Sequence, residues 1–173
     1  MPSQPTPDAA LTARQAAVIA ELPILRPPGR GGDPASVSEL ASLVEAAARE
    51  TGLQCGTINL FDGDMQRQVG AYGFVASESP REDSICAQIT GSAPDVYAFR
   101  DLTAEPGFLG NPWVDGRRAH VRAYASAPLA IDGTTIGTLC VFDESPRNLS
   151  LQQCDRLAEL AEEVVDLLGQ SGR

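Results

Sequence analysis

Apolar positions along this chain change period several times, and each change marks an element. From Ser36 onward, Val37, Leu40, Ala41, Val44 and Ala48 recur at helical spacing. The run stands behind the capping pattern Ser36-x-x-Glu39 and ahead of Gly52, so a helix is predicted there. Residues 53–61 and 65–72 read as strands joined by Asp62-Gly63-Asp64. A polar loop leads to a short helical turn over 84–89, and residues 95–99 read as a third strand. Two further β-rich runs meet at Asp132-Gly133, a dipeptide that tolerates the positive φ of a tight hairpin turn. Finally, Ser150-x-x-Gln153 opens a helix in which Cys154, Leu157, Ala161, Val164 and Leu168 recur every three or four residues, with Leu160, Val165 and Leu167 beside them.

Helix, two strands, small helix, strand, long loop, two strands and helix together predict an α+β fold. Its centre is an antiparallel sheet with the long helices on one face. The domain is expected over residues 36–168, followed by a tail over 169–173. Residues 1–35 form an extension carrying one short helix over 12–22, with Leu11, Val18, Ile19 and Leu22 on a stripe. Pro2, Pro5 and Pro7 precede it, and Pro23, Pro27, Pro28, Gly29, Gly31 and Gly32 follow, which is linker composition. So short a helix is marginal alone and is expected either to pack back on the domain or to help a second copy associate. The last helix carries two apolar stripes, one for the sheet and one for a partner helix, so a homodimer through residues 151–168 and 37–49 is expected.

Composition narrows the function. The formal net charge is −10, and a chain repelled by phosphates is not expected to bind nucleic acid. All 13 basic residues are arginine. No apolar stretch approaches the ~20 residues that span a bilayer, and the first residues lack the charged and apolar regions of a signal peptide, so no membrane partner and a cytoplasmic location are expected. The cysteines stand at 55, 86, 140 and 154, with no Cys-x-x-Cys and a single histidine, His120, so no metal site is expected. Cys55, Cys140 and Cys154 fall on apolar faces and read as small core residues.

One long segment is more specific than any of this. It contains Asp101, Leu102, Pro106, Phe108, Asn111, Pro112 and Val114, then Tyr124, Ala125, Ala127, Pro128, Leu129, Gly133, Ile136 through Val141, and Asp143. In this order the residues resemble the GAF family of sensory domains, in particular its bacterial members. The resemblance runs from about residue 36 to 168 and implies a GAF fold. It also implies a ligand pocket between the sheet and a cap made of the small helix and the long loop. Carried onto this chain, the pocket residues are Ser84, Cys86, Ile89, Asp101, Leu102, Phe108, Asn111, Trp113, Val114 and Tyr124.

For several of these a structural role stands beside the functional one. Cys86, in the pattern Arg81-x-x-Ser84-x-Cys86, is either a small buried residue or a thiol activated in the first turn of a helix. Phe108 and Trp113 anchor the loop or stack on a ligand. Asp101 and Asn111 bond local backbone or contact a ligand. His120 is a loop residue or, as in some GAF domains, a haem ligand.

The specialised activities of the family lack their residues here. A chain without lysine cannot match the cyclic-nucleotide signature, and Cys86 is followed by Ala87 where bilin-binding members commonly have histidine. Residues 87–139 contain no cysteine, which leaves the nucleophile–resolver pair of a free methionine sulfoxide reductase incomplete. The expectation is a non-enzymatic sensory domain in signal transduction, binding a small molecule or a signalling protein and reporting through its terminal helices. The alternative is a thiol redox sensor or reductase-like enzyme working through Cys86. The sequence names neither ligand nor cofactor.

Overall fold

Alternation along the strands sorts the side chains into two layers. In the strand Cys55–Asp62 (β1), Ile58 and Leu60 point to one face and Thr57, Asn59 and Phe61 to the other. The same holds in Ala123–Ile131 (β5), where Ala123, Ala125, Ala127 and Leu129 oppose Tyr124 and Ser126. In Thr134–Asp143 (β6), Leu139 and Val141 oppose Cys140 and Phe142. With Met65–Tyr72 (β2), Glu78–Pro80 (β3) and Tyr97–Phe99 (β4), these strands form one antiparallel sheet in the order β3-β2-β1-β6-β5-β4. The computed structural model describes residues 9–22, 34–89 and 96–170.

Both predicted hairpins close on two-residue loops. Asp62 pairs with Met65 across Gly63-Asp64, with Gly63 at φ 64°. Ile131 pairs with Thr134 across Asp132-Gly133, at φ 50° and 79°, the double left-handed turn that suits the right-handed twist of a hairpin.

One face of the sheet is covered by Ala9–Ala20 (α1), Pro34–Thr51 (α2) and Leu151–Gln170 (α4). Leu40, Val44 and Ala47 of α2 meet Leu157, Leu160, Ala161, Val164 and Leu168 of α4 and the inner face of the central strands. The capping box at α4 forms as read: Gln153 N donates to Ser150 Oγ at 3.1 Å, and Ser150 N donates to Gln153 Oε1 at 2.8 Å. At the other end of α2, Gly52 takes φ 72° and Leu53 N donates back to Ala48 O at 3.1 Å, the expected glycine stop.

Three expectations are amended and one open choice is settled. Helix α2 is already formed at Pro34, two residues before Ser36, because proline at the first helical position lacks only a donor that has no partner there. The polar loop after β2 contains the edge strand β3, too short and too polar to show a period. The short N-terminal helix packs back on the domain: Ile19 and Leu22 join the main core, and Gln15 Nε2 donates to Thr135 O at 2.8 Å. In α4, Leu160 of the second stripe is buried together with Leu157, while Val165 and Leu167 stay half-buried. The proline-rich positions before residue 9 and the linker positions 23–33, like Asp95, lie outside the described residues.

The opposite face of the sheet carries the smaller core. Phe61, Tyr124, Cys140 and Phe142 rise from the strands to meet Ile85 and Cys86 of the five-residue helix Ile85–Ile89 (α3) and Leu102, Phe108, Val114 and Val121 of the long loop. The loop holds its own shape with short hydrogen-bonded turns. Asp101 Oδ1 accepts from Thr103 N at 2.9 Å, and Leu102 N donates to Arg122 O at 2.7 Å.

Candidate functional site

Ser84 sets the position of α3. It is fully buried; its hydroxyl accepts from Ala87 N at 3.1 Å, capping the helix, and meets Gln66 Oε1 of β2 in a short hydrogen bond. That cap places Cys86 in the first turn, against the sheet. There Cys86 is 2% exposed, and its sulfur contacts the hydroxyl of Tyr124 and, at 3.1 Å, Asn59 Nδ2. The same amide nitrogen lies 3.2 Å from the sulfur of Cys140, which is 1% exposed. Two thiols, one from the cap and one from the sheet, thus share a single amide donor.

The electrostatics of the pair are lopsided. Burial alone pushes the Cys86 thiol up, but hydrogen bonding from Cys140, Tyr124 and Asn59 outweighs it and brings the thiol down to about 7. Cys140 moves the other way, well above the usual thiol range, because it serves as donor to Cys86 and is itself buried. Tyr124 is held well above the usual phenol range by burial and by the negative charge on Cys86, so it remains a donor. Cys86 is the acceptor of the cluster.

Beside the sulfurs lies a cavity of ≈ 20 Å³, enough for one ordered water molecule. Among the residues read from the sequence, Cys86, Trp113 and Tyr124 line it. Two lining residues carry buried polar atoms without a hydrogen-bond partner: the Oδ1 of Asn59 and the Nε1 of Trp113. Such atoms are costly unless something meets them.

The other expected pocket residues support the cavity from behind. Leu102, Phe108 and Val114 are buried beneath the loop, and Phe108 packs edge-to-face on Phe99 at 5.7 Å. Asn111 pins the loop to the cap: its Nδ2 donates to Asp83 O and Gln88 Oε1, both at 3.0 Å, and its Oδ1 accepts from Trp113 N at 2.9 Å. Ile89 is half-buried against the same core, and Asp101 caps a turn of the loop. His120 is exposed beside Gly116 and does not line the cavity. Among the described residues no group of three His, Cys, Asp or Glu side chains is placed to hold a metal ion, and no helix is long and apolar enough to cross a membrane.

Sequence reasoning missed the floor of the site. Thr57, Asn59, Gln66 and Gln68 line the cavity from β1 and β2. The available signal was a polar residue at every second position of strands otherwise rich in core residues. It also missed Cys140. The second thiol comes from β6 in the sheet rather than from the loop.

The comparisons with known proteins agree with this architecture. A cyclic di-GMP phosphodiesterase of Pseudomonas aeruginosa is 39% identical over 92 residues, covering 52% of this chain but only 15% of that much longer protein. The GAF domain of an Acinetobacter phosphoenolpyruvate-protein phosphotransferase superposes with a TM-score of 0.64 at 10% identity, covering 95% of this chain and 96% of that one. A free methionine-R-sulfoxide reductase from Neisseria meningitidis superposes with a TM-score of 0.63 at 19% identity, covering 94% and 88%. The cyanobacteriochrome receptor PixJ gives 0.61 at 20% identity, covering 79% and 96%. At such identities these structures establish the fold alone. The family described as GAF domain matches residues 34–168. This chain belongs to the GAF domain family.

Proposed function

We propose that this GAF domain is a non-enzymatic sensor that binds a small polar molecule in the cavity between the sheet and the α3–loop cap. The observation that carries the reading is the pair of unpartnered buried atoms, Asn59 Oδ1 and Trp113 Nε1, on the walls of one cavity. A ligand offering a donor to the first and an acceptor to the second would satisfy both. The cavity holds little more than one water, so a larger ligand must lift α3 and the loop as it enters.

The output of such a movement is a signalling protein in the cytoplasm, reached through the terminal helices, with the domain working as a homodimer. What supports that route is continuity: α2 and α4 pack on the far side of the same strands that floor the cavity. Between α2 and α4 a shallow groove lined by Leu43 and Leu167 and rimmed by Glu39, Glu163 and Asp166 remains open for a second copy.

Native mass spectrometry of the purified chain, followed by thermal-shift screening against small polar metabolites, tests the ligand. A stabilising compound should lose most of its effect in Trp113→Phe, which keeps an aromatic ring and removes the N–H donor. An effect that is unchanged in this variant, or the absence of any bound or stabilising compound, counts against the reading.

A further inference from the structure

We infer that Cys86 and Cys140 form a reversible intramolecular disulfide when a small hydroperoxide enters the cavity beside them. The inference goes beyond ligand sensing and does not depend on it. Its basis is the juxtaposition of two sulfurs bridged by Asn59 Nδ2, at 3.1 and 3.2 Å, one borne by the short cap helix and the other by the central strand β6. Two sulfurs that share one nitrogen are near neighbours, and a movement of α3 toward β6 is what brings them to bonding distance. Cys55 and Cys154 lack such a partner geometry: the Cys55 sulfur meets the carbonyl of Gly73, and Cys154 lies on α4, on the other side of the sheet.

Most buried thiols are inert because burial disfavours the thiolate. Here the donors around Cys86 reverse that, and Tyr124, which stays protonated, holds a hydrogen bond on the sulfur. The Cys86 thiolate attacks one peroxide oxygen. The O–O bond breaks, an S–O bond forms, and the departing oxygen takes up the proton that Cys86 released, leaving as water when the oxidant is hydrogen peroxide. Cys86 is then a sulfenic acid. The Cys140 sulfur attacks the Cys86 sulfur, the S–O bond breaks, and the hydroxyl leaves with the proton of Cys140 as a second water. Two thiols are oxidised to one disulfide and one peroxide is reduced to two waters.

The cavity also sets a size limit. A cavity this small admits hydrogen peroxide and not a bulky aralkyl hydroperoxide. Closing the bond takes both sulfurs away from Asn59 and Tyr124 and draws α3 toward β6, so oxidation changes the same cap that a ligand must lift.

The test is stoichiometric hydrogen peroxide on the reduced full-length chain, read by intact mass and peptide mapping. Wild type should lose two hydrogen masses, yield a cross-linked peptide joining residues 86 and 140, and return to the starting mass with dithiothreitol. Cumene hydroperoxide should react at least about tenfold more slowly, as expected when access limits the chemistry. Cys140→Ser should trap a sulfenic acid on Cys86 that a dimedone-type probe labels, while a Cys55→Ser, Cys154→Ser double variant should still form the bond. The wild-type map stands whether or not the single variants fold. A disulfide through Cys55 or Cys154, a link between two chains, or no mass loss in wild type would overturn the inference.

Discussion

Asn111 donates to Gln88 at 3.0 Å, and through that bond the long loop holds the cap helix against the sheet. Asn111 is 4% exposed and its side chain makes three hydrogen bonds, to Gln88, to the carbonyl of Asp83 and from the amide of Trp113. Asn111→Ala removes all three and strands their partners, at a cost of roughly 2–4 kcal/mol. Because the bonds hold the cap rather than the main core, Cys86 should also become easier to alkylate with a small neutral reagent. Urea unfolding and alkylation rates measured together check this; a stability loss without faster alkylation would place the bonds' effect elsewhere.

The stability of the domain should rise with pH through the neutral range because of Cys86. Its thiol is at about 7 in the folded chain against an ordinary value of 9.0, and Cys140 and Tyr124 are the titratable groups it meets. A depressed pKa contributes stability that is complete above the unfolded value and is lost as pH falls through the folded one. The stability gap between wild type and Cys86→Ala should therefore widen between about pH 6 and about pH 9, by ~2 kcal/mol. Cys140 and Tyr124 are shifted upward, so their contribution is lost only at higher pH. Denaturant titrations at a series of pH values give the slope, and a flat or inverted gap contradicts it.

Gly137 admits no side chain. A Cβ there would lie 1.9 Å from the carbonyl oxygen of Asn59, within the β1–β6 pairing. Backbone must shift to relieve the clash, so Gly137→Ala should destabilise by about 3 kcal/mol or more. It should also displace Asn59 from the sulfurs. Gly110→Ala is the matched control, since nothing lies within 4 Å of its added carbon, and it should stay within about 0.5 kcal/mol of wild type. Equal midpoints for the two variants would refute the assignment.

Removing residues 1–33 should weaken the domain rather than merely trim it. Ile19 and Leu22 are 4% and 6% exposed in the main core, and Gln15 ties α1 to both Thr135 and Arg81. Losing the two aliphatic side chains alone should cost roughly 3 kcal/mol. Urea midpoints of the full chain and a version starting at Pro34 give the comparison; identical midpoints would show that α1 contributes nothing to the fold.

Association of two copies through the α2–α4 groove should strengthen with salt. The groove joins Leu43 and Leu167 to Glu39, Glu163 and Asp166, and Glu159, Glu162 and Asp155 lie on the outer face of α4. Screening within ~8 Å at physiological ionic strength removes that repulsion while leaving the apolar contact. Sedimentation at low and high salt should show the dimer fraction increase, and Leu167→Glu should abolish it. A monomer at both salts, at tens of micromolar protein, rules this association out.

Local rules were legible because they depend on neighbours in sequence. The cap at Ser150, the glycine stop at Gly52, both two-residue hairpins and the resemblance carried by residues 101–143 all follow from short-range chemistry, and with them the α+β architecture. Three kinds of feature were not. Strand β3 is too short for its period to rise above the loop around it. The allocation of Leu160 to the core, rather than to a partner chain, depends on how α2 leans on α4. Above all, the meeting of Cys86 with Cys140, separated by more than fifty residues, follows from β6 lying beneath the cap helix. Sequence alone determined the longer strands and helices and both tight turns, because backbone conformation answers to adjacent side chains. Only the tertiary structure decided that Asn59, Cys86, Tyr124 and Cys140 surround one small cavity, because that depends on strand order and on which face of the sheet each alternating side chain takes.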